Sequence, residues 1–183
     1  MAKKKTKSEH YVDNKEFLKA MSEFRLKLIE AEEKGEKRPR TTDYIGSCFM
    51  KIAAHLSYSP NFKNYTFREE MVESGIENCL QYMDNFDPAK STNPFSYFTQ
   101  IIWYAFLRKI EKEKKVLYAK FKSIEKVNLA NDLDKSGGFQ YHDNIKVSEW
   151  SQEYMGKFIT DFEENRRTKK KKALAKKGLE VIE

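Results

Sequence analysis

The side chains with the widest chemical repertoire in this 183-residue chain are three histidines and two cysteines. Their spacing suits no familiar chemistry. His10, His55 and His142 are scattered, and neither Cys48 nor Cys79 pairs with a histidine at zinc spacing. Gly35-Glu36-Lys37-Arg38 lacks the spacing of a phosphate-binding loop, and no nucleophile elbow is present. Carboxylates are plentiful, but they fall among opposite charges on helix faces, where solvation is their ordinary role. One liganding pattern stands out. Asp132-x-Asp134-x-Ser136-Gly137, with Phe139 and then Asp143, fits much of an EF-hand calcium loop. Its last ligand is Asp, which reaches bidentate geometry less easily than Glu, and such loops usually come in pairs. A plain polar loop is the expectation there, with no metal site, no cofactor and no catalytic residues.

Aromatic and basic residues give a stronger signal. Tyr97, Trp103 and Tyr104 precede or mingle with a basic stretch. From Arg108 to Lys126 there are eight bases, Arg108, Lys109, Lys112 and Lys115 among them, against three acids. Aromatic rings stack on unpaired bases while cations follow phosphates, so this combination points to nucleic acid. A formal net charge of +7 and a pI of about 9.2 agree with a polyanionic partner. Just upstream the charge reverses: Thr66 to Asp87 holds six acids and one base. A row of Glu70, Glu73 and Glu77 would repel DNA, so it suits a basic protein surface.

The elements that must carry these groups are helices. Seven glycines and four prolines are few for a many-turned β fold. A basic arm, residues 1–12 with Lys3, Lys4, Lys5 and Lys7, reads as disordered. Asp13 or Asn14 caps a first helix to about Lys34, with Phe17, Met21, Phe24 and Leu28 on one stripe. Thr42 or Asp43 caps a second to about Tyr58, burying Ile45, Cys48, Phe49, Ile52, Ala53 and Leu56. The spacing Thr66-Phe67-Arg68-Glu69 predicts a capping box opening a third helix, whose stripe reads Val72, Ile76, Cys79, Leu80 and Met83. Asn93 as N-cap and Pro94 at the first helical position open a fourth, running to about Lys126 with Phe95, Phe98, Ile102, Ala105 and Phe106 at helical spacing. A loop over 127–143 precedes a last helix from about Val147 to Glu164. Arg166 to Lys177 then carries eight bases and no acid. The expected organisation is therefore all-α: a compact helical domain over 13–126, a loop plus C-terminal helix over 127–165, and a basic linker with an apolar, acidic tip over 166–183. No apolar run approaches the ~20 residues of a membrane span. The N-terminus has no apolar stretch after its lysines, and the two thiols read as reduced core residues, so a cytoplasmic protein is expected.

The order of acidic helix, Phe-Asp, Phe-Ser and aromatic-basic helix resembles region 2 of bacterial sigma factors. Gly75 through Asp87 to Phe95-Ser96 matches that region's spacing without a gap. More specifically, the chain is similar to the late-transcription sigma factors of T-even-type bacteriophages. Tyr11 to Glu16, Gly75-Ile76-Glu77, Asn85-Phe86-Asp87 and Asn93-Pro94 through Lys115 carry the likeness. It covers most of residues 10–165 and is specific over 66–115.

This resemblance implies a non-enzymatic promoter-specificity factor of transcription initiation, acting in the cytoplasm of an infected bacterial host. Glu70, Glu73, Ser74, Ile76 and Leu80 match positions that contact the β′ clamp helices of the host RNA polymerase core, and Glu77 lies in the same acidic row. Phe86, Phe95, Ser96 and Phe98 match positions around a base captured from an A/T-rich −10-type late promoter. Primary sigma factors place a tryptophan pair where this chain has Ile101-Ile102, with Trp103 one step later, and Asn93-Pro94 replaces an aromatic-basic pair. Too little chain follows for a separate upstream-reading domain. In the family that contact passes to the phage DNA sliding clamp, with a small co-activator. Leu179, Val181 and Ile182 loosely match the clamp-binding tip, without its aromatic. The rival readings are a general single-stranded DNA- or RNA-binding module and a calcium-dependent interaction protein built on the 132–143 loop.

Overall fold

The computed structural model describes residues 11–134 and 149–176, with backbone alone at 128–134 and 149. The fold is all-α. Among the described residues five α-helices and one 3-10 turn follow in order: α1 Asn14–Lys34, α2 Asp43–Ser57, α3 Arg68–Tyr82, the 3-10 turn Met83–Asn85, α4 Pro94–Asp134 and α5 Glu149–Ala175. No strand occurs among the described residues, and none of the helices is long and apolar enough to cross a membrane. The chain forms two compact units, Met1–Glu111 and Lys112–Glu183, so α4 contributes residues to both.

In the first unit the stripes of α1 and α2 are buried as their spacing requires. Phe17, Met21, Phe24 and Leu28 lie inside with Ile45, Cys48, Phe49, Ile52 and Ala53, while Leu56 is half-buried. The ring of Phe98 from α4 packs against Phe49 at 4.6 Å and Phe17 at 5.6 Å between centroids. Each fully buried Phe of this cluster contributes roughly 1.5–3 kcal/mol of hydrophobic stabilisation. Side-chain caps set the helix starts. The Asp13 carboxylate accepts from the amides of Lys15 (2.7 Å) and Glu16 (3.1 Å), and the Thr42 hydroxyl from Ile45 N. Gly35 ends α1 in the left-handed region at φ 65°, where a side chain would be strained.

The third helix departs from expectation twice. Its cap position is Phe67, and no side-chain cap bond forms, so the Thr66–Glu69 capping box is absent. Tyr65 and Phe67 pack on the core and the Arg68 guanidinium lies 4.4 Å from the Tyr58 ring centroid. Those contacts start the helix one residue later than Thr66 would. Its buried line is Met71, Gly75 and Cys79, leading to Met83 in the 3-10 turn. Val72 and Ile76 are half-buried and Leu80 is 38% exposed. The line rotates because α4 approaches over Gly75: a Cβ there would lie 3.0 Å from both Ile102 Cγ2 and Phe106 Cε1.

The second unit corrects two boundaries. α4 continues past Lys126 to Asp134, and α5 runs through the basic stretch to Ala175. Neither segment contains Pro or Gly at those points, and Lys, Arg, Ala and Leu are strong helix formers. Asp132 and Asp134 therefore sit in helical backbone rather than in a calcium loop, and residues 135–143 of that pattern lie outside the described residues. The basic arm over 1–10 and the tip with Leu179, Val181 and Ile182 also lie outside them.

Candidate nucleic-acid interface and acidic face

The start of α4 is held from two sides. Asn93 Oδ1 accepts from Ser96 N at 3.0 Å, the local cap that the sequence announces. Asn14, at the start of α1, supplies the second hold. Its Oδ1 accepts from Phe95 N (3.2 Å) and its Nδ2 donates to Thr92 O (3.4 Å). Free amides at this helix end are thereby satisfied by a residue about 80 positions away.

On this fixed turn lies an open hollow of about 590 Å³, lined by Asn93, Phe95, Ser96, Thr99, Gln100, Trp103 and Tyr104. Steps of three and four place these residues on one face. Phe95 is braced edge-on by Tyr11 at 5.7 Å, and Tyr11 stacks on His55 at 4.3 Å. Trp103 meets Phe62 edge-on at 4.8 Å, which fixes the indole while leaving it half-exposed. Tyr104 is 51% exposed. Rings thus flank a strip of Ser, Thr, Gln and Asn. Such a surface can stack an unpaired base and hydrogen-bond its edge.

Of the aromatic residues expected at DNA, Phe95, Trp103 and Tyr104 come together here with Ser96. Phe86 and Phe98 do not. Both are core residues, packed on each other at 5.8 Å, and no base can reach them in this fold. Tyr97 is half-buried, with its ring 5.2 Å from Phe86, and burial raises its phenol. Sequence reasoning missed Thr99 and Gln100. Their signal was the i, i+4 relation of Thr99 to Trp103 and of Ser96 through Gln100 to Tyr104.

The expected phosphate contacts divide. Arg108 is exposed and donates to Asn78 Oδ1 of α3 at 2.6 Å. The Lys109 side chain is only 16% exposed and its Nζ pairs with Glu70 Oε2 of α3 at 2.5 Å. Lys112 and Lys115 are exposed and belong to the second unit.

Along the outer side of α3, Glu69, Glu70, Glu73 and Glu77 are exposed and Leu80 ends the row. Ser74 is half-buried, and its carbonyl accepts from Asn78 Nδ2. Ile76 packs half-buried against the core. At the end of α3, Arg38 forks onto Asp84 at 2.7 and 2.9 Å, tying the α1–α2 connection to the 3-10 turn. Cys48 and Cys79 are free and buried, and burial pushes the Cys79 thiol up to about 12. Among the described residues no group of His, Cys, Asp or Glu could hold a metal ion. No protein-family model matches the chain and no curated protein matches it.

Proposed function

We propose that this chain is a promoter-specificity factor of the sigma region 2 type, which recruits a host RNA polymerase core to A/T-rich late promoters of a phage. It does no chemistry itself. The row Glu70, Glu73, Glu77 and Leu80 takes the β′ clamp helices, with Ser74 and Ile76 beneath it. The hollow of Phe95, Ser96, Trp103 and Tyr104 holds an unpaired base of the −10-type element. Arg108, Lys109, Lys112 and Lys115 follow phosphates. The C-terminal tip with Leu179, Val181 and Ile182 reaches the sliding clamp, and a small co-activator completes the upstream contact. The setting is the cytoplasm of the infected host.

The observation that carries this reading is one combination. Consecutive helices carry an exposed carboxylate row, on α3, and an aromatic hollow with base-edge hydrogen-bonding groups, on α4. A general strand-binding module would need the second feature and not the first. The test uses Glu73→Lys with Glu77→Lys, which leaves the Glu70–Lys109 pair in place. Affinity for core polymerase should fall at least about 100-fold, since opposed like charges cost several kcal/mol. Affinity for bare DNA should hold or rise, and run-off initiation at a late-type promoter should vanish. Unchanged core affinity would overturn the interface; strand binding with no polymerase binding at all would favour the general module.

A further inference from the structure

The second unit pairs the later part of α4 with α5. Tyr118 stacks on Phe162 at 4.6 Å and bonds Glu163, Lys122 also pairs with Glu163, and Phe121 meets Phe158 at 5.4 Å and Tyr154 at 6.2 Å. Higher numbers on α4 meet lower numbers on α5, so the two helices run antiparallel. The rings form a continuous line, Tyr118, Phe162, Phe158, Phe121, Tyr154, Trp150. The first four are half-buried in the seam. The last two leave it: Trp150 is 74% and Tyr154 51% exposed, stacked on each other at 5.9 Å and 12°. An indole and a phenol held parallel in water are pre-ordered for a third ring.

The same register sorts the charge. One turn beyond Tyr118 and Phe162, Lys114 and Lys115 come to the end of the pair where Arg166 and Arg167 lie. From Arg166 to its end at Ala175 α5 carries six bases and no acid, and Lys176 follows. Of the acids of the pair, Glu163 is taken by Lys122 and Tyr118 and Glu125 by Lys122, Glu153 sits beside the ring pair, and Glu113, Asp161 and Glu164 precede the basic runs. From Trp150 to Lys172 the surface extends roughly 33 Å at 1.5 Å per helical residue.

We propose that this helical pair is a second binding surface, for a single strand of DNA, with bases stacking on Trp150 and Tyr154 and phosphates following the basic end of α5. A duplex hides its base faces and would use the lysines alone. Stacking rings and cations recognise bases and phosphates, which single-stranded DNA and RNA share; we take the strand to be DNA, and a uridine oligomer separates the two. The proposal does not rest on polymerase binding and stands or falls separately from the α4 hollow.

Trp103 and Trp150 are the two tryptophans of the chain. In a full chain carrying Trp103→Phe, a thymidine oligomer of about 15 nucleotides, within the usual range for such sites, should quench Trp150 emission saturably. Trp150→Ala with Tyr154→Ala in the otherwise natural chain should weaken binding at least about tenfold, in line with lost base stacking. Lys170→Gln with Lys172→Gln should lower the slope of log affinity on log salt by about 1.4, near 0.7 per phosphate contact. If Trp103→Phe does not fold, the emission that disappears in Trp150→Ala is the component that must respond. Absence of quenching overturns the proposal, as does equal quenching by duplex or tighter binding of a uridine oligomer. So does a dimer in sedimentation that Trp150→Ala dissolves while DNA leaves Trp150 emission unchanged, since the rings would then serve a second copy.

Discussion

Alanine at Gly75 and alanine at Gly156 should shift stability in opposite directions. Both glycines are inside helices, where alanine gains about 1 kcal/mol over glycine. At Gly156 the added Cβ meets nothing within 4 Å beyond its own stretch of helix among the described residues, so that gain is realised in full. At Gly75 the Cβ would stand 3.0 Å from Ile102 Cγ2 and 3.0 Å from Phe106 Cε1. Neither neighbour can swing away, because both are wholly buried. Overpacking of this kind costs about 1–3 kcal/mol, which outweighs the helix gain and leaves a net loss of about 1 kcal/mol. Each unit holds its own reporter, Trp103 in the first and Trp150 in the second. Urea unfolding followed by Trp103 emission, with Trp150→Phe, should show the Gly75→Ala midpoint lowered by roughly 0.5–1 M at an ordinary dependence on denaturant. Followed by Trp150 emission, with Trp103→Phe, Gly156→Ala should raise its midpoint. A Gly75→Ala midpoint at or above that of the parent would refute the claim that α3 and α4 meet over a bare backbone.

Two further outcomes follow from side chains of the first unit. Asn14→Ala removes the acceptor for Phe95 N and should cost about 1–2 kcal/mol in urea unfolding, while Asn14→Asp, which keeps an acceptor, should recover most of it. The Cys79 thiol and the Tyr44 phenol are both raised to about 12, first of all by burial, from ordinary values of 9.0 and 10.0. The unfolded chain therefore loses these protons first, and stability present below pH 9 should decline as pH rises from about 9 to 12. Cys79→Ala should flatten the lower part of that decline in pH-dependent unfolding.

What the sequence conveyed depended on how local the cause was. The stripes of α1 and α2 were legible because apolar side chains alone mark them. Asp13, Thr42 and Asn93 were legible as caps because they act within three residues. Cys79 and Met83 are buried as their spacing indicates, but Val72 and Ile76 stand in the sequence for Met71 and Gly75, because Gly75 has no side chain to count. Thr66 was read as a cap because the aromatic packing of Tyr65 and Phe67 that displaces the helix start is tertiary. Phe86 and Phe98 looked like Phe95, since composition cannot tell a ring in the core from one at a surface. The Asn14 hold on α4 spans most of the first unit and leaves no local trace. α4 and α5 run on where Ser136-Gly137-Gly138 suggests a loop and the basic run a linker, because helix propensity favours continuation.

The Glu70–Lys109 pair has a thermodynamic consequence. Glu70 stands in the outward acidic row of α3, and Lys109 belongs to the basic half of α4. A cationic surface that takes Glu70 must draw it from Lys109, and a phosphate that takes Lys109 must draw it from Glu70. Whichever ligand arrives first removes a competitor for the other. The two affinities are therefore linked, and the factor by which one ligand strengthens the second must equal the factor by which the second strengthens the first. On the proposed contacts, the ion pair between these helices would couple the two ligands without any change of fold.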